Sequence, residues 1–188
     1  VKSSSRNSNM QDLAYCAVFA ALIIVFAFVS IPVGAAGVPI VLQNAIVILS
    51  GLILGAKRGF LATALFLVIG LLGIPVLAGG RSTLAALAGP TVGYVVGYLF
   101  AALVAGAIAY RATKGTSAVV TLAIAAVAGL AVQYLLGSFG LMLRADMGFG
   151  PALAANAPFI IPDLIKLAAA VAIATGVHKA FPDLREKA

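Results

Sequence analysis

Residues 13–31 contain no charged side chain, and the run is long enough to cross the hydrocarbon core of a bilayer as a helix. Comparable runs follow at 38–54, from just after Gly59 to about Val76, in a fourth segment ending at Tyr110, and at 118–140. A sixth run, at 162–178, differs from the others in carrying Asp163 and Lys166. Punctuation falls between the runs. Pro32 and Gly34 close the first, Lys57-Arg58-Gly59 follows the second, and Ala78-Gly79-Gly80-Arg81-Ser82 breaks the pattern after the third. Residues 84–89 can form a short helix of their own before Pro90, and Arg144, Asp146, Gly148, Gly150 and Pro151 mark the last loop. The runs lack the alternation of a lipid-facing barrel strand. Backbone in lipid must satisfy its own hydrogen bonds, so helices remain. The spacing predicts an all-α integral membrane bundle of about six spans. Its membrane domain covers 13–181, between polar tails at 1–12 and 182–188.

Charge supports this reading. Only 9% of residues are charged, against about a quarter in soluble domains. The net charge of +7 does not indicate nucleic-acid binding, because the basic residues sit in small groups between apolar runs. With the N-terminus inside, the inner segments carry Lys2, Arg6, Lys57, Arg58, Arg111, Lys114, Lys179, Arg185 and Lys187. The outer loops carry Arg81 and Arg144. That asymmetry predicts an even number of spans with both termini cytoplasmic. No removable signal peptide is expected, since the first apolar run is long enough to stay in the membrane. Cys16 reads as a small buried hydrophobe.

Several activities find no support. No phosphate-binding loop of the Gly-x-x-x-x-Gly-Lys-Ser/Thr type is present, so ATP hydrolysis is not expected on this chain. One histidine cannot build a His-rich metal site. Ser138 and His178 fall near opposite ends of their spans, too far apart for a hydrolase.

Ionisable residues inside a membrane are costly and mark functional sites. Asp163 and Lys166, three apart on one helix face, are the leading pair, although a helix-end cap or a snorkelling lysine accounts for the same spacing. Arg81 follows two glycines, of which Gly80 lets the backbone come close to a ligand. Gln43 and Tyr94 begin the second and fourth spans, and Asn44 and Asn156 share their ambiguity between site and interhelical hydrogen bond. The topology puts Asp163, Lys166, Arg81, Gln43 and Tyr94 in the outer half, where together they can line one pocket. Small residues four apart recur at Ala17/Ala21, Gly51/Gly55 and Gly93/Gly97, the spacing that lets helices approach closely.

Four stretches carry a family likeness: Val38-Pro39-Ile40-Val41-Leu42-Gln43; Leu54-Gly55-Ala56-Lys57-Arg58-Gly59; Ala78-Gly79-Gly80-Arg81 running on to Gly89-Pro90-Thr91-Val92-Gly93-Tyr94; and Pro158 through Asp163 to Lys166. In order and spacing they resemble the BioY family, the biotin-binding S components of energy-coupling factor (ECF) transporters. The resemblance implies a six-helix S-component bundle in the plasma membrane of a prokaryote, with biotin as ligand and no cofactor on this chain. It implies a membrane T component and two ATPase subunits as partners. It also implies that Ala17 and Ala21 dock the T component, and that the site comprises Asp163, Lys166, Arg81, Gln43, Tyr94 and Gly80. The chain departs from the family at Pro162, directly before the acidic residue, and at Val92, where a glycine is common.

Biotin presents two ureido N–H donors and a carbonyl, an apolar middle and a carboxylate. Asp163 is the expected acceptor, with Lys166 and Arg81 as cations. One negative and two positive side chains are neutralised by a bound monoanion. The competing readings are an S component for another vitamin, a channel or stand-alone secondary transporter, and a small intramembrane enzyme. A transport path would place ionisable groups through the inner halves of the spans, which are bare of them.

Overall fold

The computed structural model describes residues 2–31, 40–111, 118–182 and 184. Seven helices are present among them: α1 (Lys2–Ala27), α2 (Gln43–Leu71), α3 (Thr83–Ala88), α4 (Val92–Ala109), α5 (Ala118–Arg144), α6 (Phe149–Ala154) and α7 (Ala157–Ala180). Two short antiparallel ladders join β1 (Ser30–Ile31) to β2 (Ile40–Val41) and β3 (Pro75–Leu77) to β4 (Arg81–Ser82). The predicted starts and stops at Pro32, Gly34, Val38 and Pro39 lie outside the described residues, as do Lys114, Arg185 and Lys187.

Among the described residues, five segments are long and apolar enough to cross a membrane: Asn9–Ala27, Gln43–Leu71, Val92–Ala109, Ala118–Arg144 and Phe149–Ala180. One of them makes two passes. Gly55 breaks α2 with φ 83° and ψ 178°, a conformation open to glycine and closed to other residues. Beyond it the chain turns back. A Cβ placed on Gly59 would lie 2.7 Å from the Cα of Gly51, whereas eight residues along a straight helix span about 12 Å. Gln43, at the start of α2, also hydrogen-bonds the carbonyl of Val76, which lies beyond its end. The predicted second and third spans are therefore two limbs of a helical hairpin. Its turn is at Gly55 rather than at Lys57-Arg58-Gly59. The third span also stops at Leu71, short of the predicted Val76, because Pro75–Leu77 leaves the helix to pair with β4.

The break leaves carbonyls near the end of the first limb in need of donors. Tyr110, just past α4, donates its hydroxyl to Ile53 O. His178, late in α7, places Nε2 2.9 Å from Leu52 O. On the neighbouring α1, Cys16 is buried and its thiol meets the Arg58 carbonyl at 3.5 Å. These contacts gather Cys16, the α2 turn, Tyr110 and His178 at one end of the bundle. Ser30, Gln43, Val76, Arg81, Tyr134 and Asp163 lie at the other. Six passes follow.

Close helix contacts depend on small residues. A Cβ on Gly51 would strike the backbone of Ala102, and one on Gly93 would strike that of Leu136 and Gly140. This seats α4 between α2 and α5, with α7 packed on α2 and α5. The Gly51/Gly55 and Gly93/Gly97 pairs thus serve packing inside the bundle. Ala17 and Ala21 do not: both are exposed, while Cys16, Ala20 and Ile23 form the buried stripe of α1. α7 begins at Ala157, five residues before the predicted Pro162, with Pro158 in its first turn. Proline suits that turn because its missing N–H has no helical acceptor there.

Candidate ligand-binding site

Helix termini converge on a cavity of about 360 Å³ at the end of the bundle away from the α2 turn. This is within the range of about 300–1,000 Å³ typical of small-molecule pockets. Arg81, Tyr94, Asp163 and Lys166, four of the six residues expected at a site, line it together. So do Asn44 and Asn156, which sequence left undecided, and Tyr98, Gln133, Tyr134 and Phe159, which it did not single out.

Asp163 and Lys166 form an ion pair on one face of α7, with side chains 5% and 10% exposed. Burying the pair is tolerable because each charge has further partners. Tyr134 donates its hydroxyl to Asp163 Oδ2 at 2.5 Å. Lys166 Nζ donates to Val41 O and to Asn44 Oδ1, both at 2.8 Å. An ammonium has three N–H donors, and here the Asp163 carboxylate, Val41 and Asn44 take them all. A carboxylate has about four acceptor positions, and Tyr134 and Lys166 engage Asp163 at one position on each oxygen. The pair is neutral as a unit, with acceptor capacity left and its donors consumed. This changes the expected division of labour, in which Lys166 shared the role of free cation.

Arg81 is the cavity-lining cation whose donors are not all taken. It is exposed at the end of the β3–β4 turn, where Nε donates to Ala78 O at 3.4 Å and Nη1 to Thr91 Oγ1 at 3.2 Å. Nη2 has no acceptor among the described residues. The turn depends on Gly79 (φ 76°) and Gly80 (φ 71°). Gly80 does not line the cavity; it shapes the turn that presents Arg81.

Gln43 is not at the cavity either. It is completely buried, and its Nε2 donates to Val76 O at 2.8 Å. Gln133 is the glutamine the cavity does contain: it is 4% exposed, and its Oε1, like that of Gln43, has no hydrogen-bond partner among the described residues. A buried acceptor without a donor is costly, and of the unpartnered glutamine oxygens Gln133 Oε1 is the one that belongs to a cavity-lining residue. Tyr94 has a structural tie, donating to Asn156 Oδ1 at 2.7 Å. Asn156 in turn donates to Ser138 Oγ at 3.0 Å, joining α4, α5 and the start of α7. A signal for the missed residues existed. Tyr98 lies four after Tyr94 on the same helix face, and Gln133-Tyr134 interrupts an apolar run.

Fold and site together define a multi-span helical membrane protein with a ligand-sized, charge-bearing cavity at one end. The BioY family profile matches residues 2–183. The biotin transporter BioY of Rhizobium etli is 35% identical over 184 residues, covering 95% of this chain and 98% of that protein. The biotin transporter BioY of Rhodobacter capsulatus is 40% identical over 167 residues, covering 84% and 87%. Among solved structures, the S-component for biotin from an ECF-type ABC transporter superposes with TM-score 0.81 at 30% identity, covering 92% of this chain and 93% of that one. The chain belongs to the BioY family.

Proposed function

We propose that this chain captures biotin as the substrate-binding S component of an ECF transporter. A T component and two ATPase subunits would supply transport and ATP hydrolysis. The observation that carries the reading is the charge state of the cavity: a neutral Asp163–Lys166 unit beside one cation, Arg81, with a free donor. Such a site favours a monoanion, because the open Arg81 donor can make a charge-assisted hydrogen bond to it while the neutral pair offers no competing cation. Biotin fits the remaining inventory. Its carboxylate meets Arg81, its ureido N–H groups meet the open acceptor positions of Asp163 and Gln133 Oε1, and its apolar middle lies against Tyr98, Leu141 and Phe159.

Orientation follows from charge. Lys57, Arg58, Arg111 and Lys179 belong to the end opposite the cavity, which the positive-inside rule puts in the cytoplasm. The cavity then opens toward the outside of a prokaryotic plasma membrane, and both chain ends lie on the cytoplasmic side.

The test is calorimetric titration of detergent-purified protein from biotin-starved cells, using biotin and its neutral carboxamide. Tight one-to-one binding of biotin with much weaker binding of the carboxamide is the expected result. Equal binding of both would keep biotin and remove Arg81 from the carboxylate. No binding by folded protein would send the search to other vitamins.

A further inference from the structure

Arg81 sits on a hairpin too small to hold its own position. The β3 strand has three residues and β4 two, and even longer isolated hairpins are marginal in water. Its ladder is also irregular. Pro75 pairs with Ser82 and Leu77 with Arg81, so Val76 is the extra residue of a bulge. A bulged residue drops out of the ladder and re-aims the strand. Val76 is also completely buried, so its carbonyl needs a donor from elsewhere. Gln43 Nε2 is that donor, at 2.8 Å, from a side chain with no exposure of its own. Gly70 lets the second limb of α2 close on the same place, since a Cβ there would collide with Val76 and Thr83.

We propose that Gln43 is a positioning residue for Arg81: by holding the bulged Val76 carbonyl, it sets the angle at which the β3–β4 hairpin presents the guanidinium to the anionic end of the ligand. This rests on the reading above that Arg81 takes the ligand's carboxylate. The next residue, Asn44, does the equivalent for the opposite wall by accepting from Lys166 Nζ. The first turn of α2 is thus a strut between two walls of the cavity, with Gln43 aimed at the hairpin and Asn44 at α7.

The experiment titrates purified wild type, Gln43→Leu, Arg81→Ala and the double variant with biotin and with its neutral carboxamide. Gln43→Leu should weaken biotin about tenfold and the carboxamide less than about twofold, as expected when one charged hydrogen bond is misaimed. The double variant should bind biotin no worse than Arg81→Ala, because the two substitutions remove the same interaction. Should Gln43→Leu fail to fold, Gln43→Met keeps the side-chain length. Gly80→Ala strains the turn from its other side and should give the same carboxylate-selective loss. If Arg81→Ala discriminates between the ligands while the Gln43 variants weaken both equally, or neither, the positioning role is overturned. If Arg81→Ala itself does not discriminate, the assignment of the carboxylate fails first, and the two failures are distinguishable.

Discussion

Two ion pairs, one at each end of the bundle, use the same chemistry for different ends. Asp12 and Arg58 meet at 2.7 Å across the α1–α2 interface, with side chains 35% and 7% exposed. Asp163 and Lys166 meet within a single helix and are more deeply buried. The first pair joins two helices directly. The second gains its reach through third parties, Tyr134 from α5 and Val41 and Asn44 from the start of α2. An ion pair between helices holds them in register whether or not anything binds nearby. One within a helix, lining a cavity, adds little to the fold by itself, and its surroundings hold it oriented beside a space. The comparison therefore predicts that ligand affinity depends on one pair and is indifferent to the other.

The largest effect should come from Lys166→Ala. It leaves Asp163 buried with its charge uncompensated, an arrangement that costs about 2–5 kcal/mol when one partner of a buried charged pair is removed. Biotin affinity should fall on the order of a hundredfold or more by calorimetry, with the protein still monodisperse. Full affinity would mean that the cavity is not the site. Arg81→Ala should come next. It removes a single charge-assisted contact at an exposed position, worth about 1.5–3 kcal/mol, and its effect should vanish for the carboxamide. Asp12→Asn should change biotin affinity by less than twofold. It should lower stability by about 1 kcal/mol, because a pair with one partner a third exposed is partly screened by solvent. Thermal unfolding without ligand measures that shift. A loss of affinity matching that of Lys166→Ala would erase the distinction between the two pairs.

The same contrast explains what sequence made legible. Asp163 and Lys166 stood out because charge inside a long apolar run has few explanations, and the six-pass bundle followed from run length and the grouping of basic residues. The turn at Gly55 was misplaced by a few residues. Lys57 and Arg58 are a strong local signal for a membrane boundary, whereas the break relies on Tyr110 and His178, distant residues that meet Leu52 and Ile53 only in the fold. Gln43 was read as a cavity residue for a similar reason. A buried amide near a site looks the same in sequence whether it faces the ligand or, as here, the carbonyl of a bulge thirty-three positions away. Gln133, Tyr98 and Tyr134 went unnoticed because neutral polar groups in a span are only weakly penalised, so their presence demands less explanation.

A third surface sharpens the comparison by touching neither pair. Ala17 and Ala21 lie on the exposed face of α1, one turn apart, while the opposite face of the helix carries Cys16, Ala20 and Ile23 into the core. Among the described residues both alanines are exposed rather than packed into the core. In lipid, however, small residues at this spacing let a second helix come close enough for backbone contact. If α1 offers this face to the T component, Ala17→Leu with Ala21→Leu should leave biotin affinity and thermal stability at wild-type values. The same double variant should abolish biotin uptake by cells carrying the complete transporter, and should no longer co-purify with the T component. Retained uptake would free this face from docking. Loss of biotin affinity together with uptake would show that α1 is bound to the cavity more tightly than its packing implies.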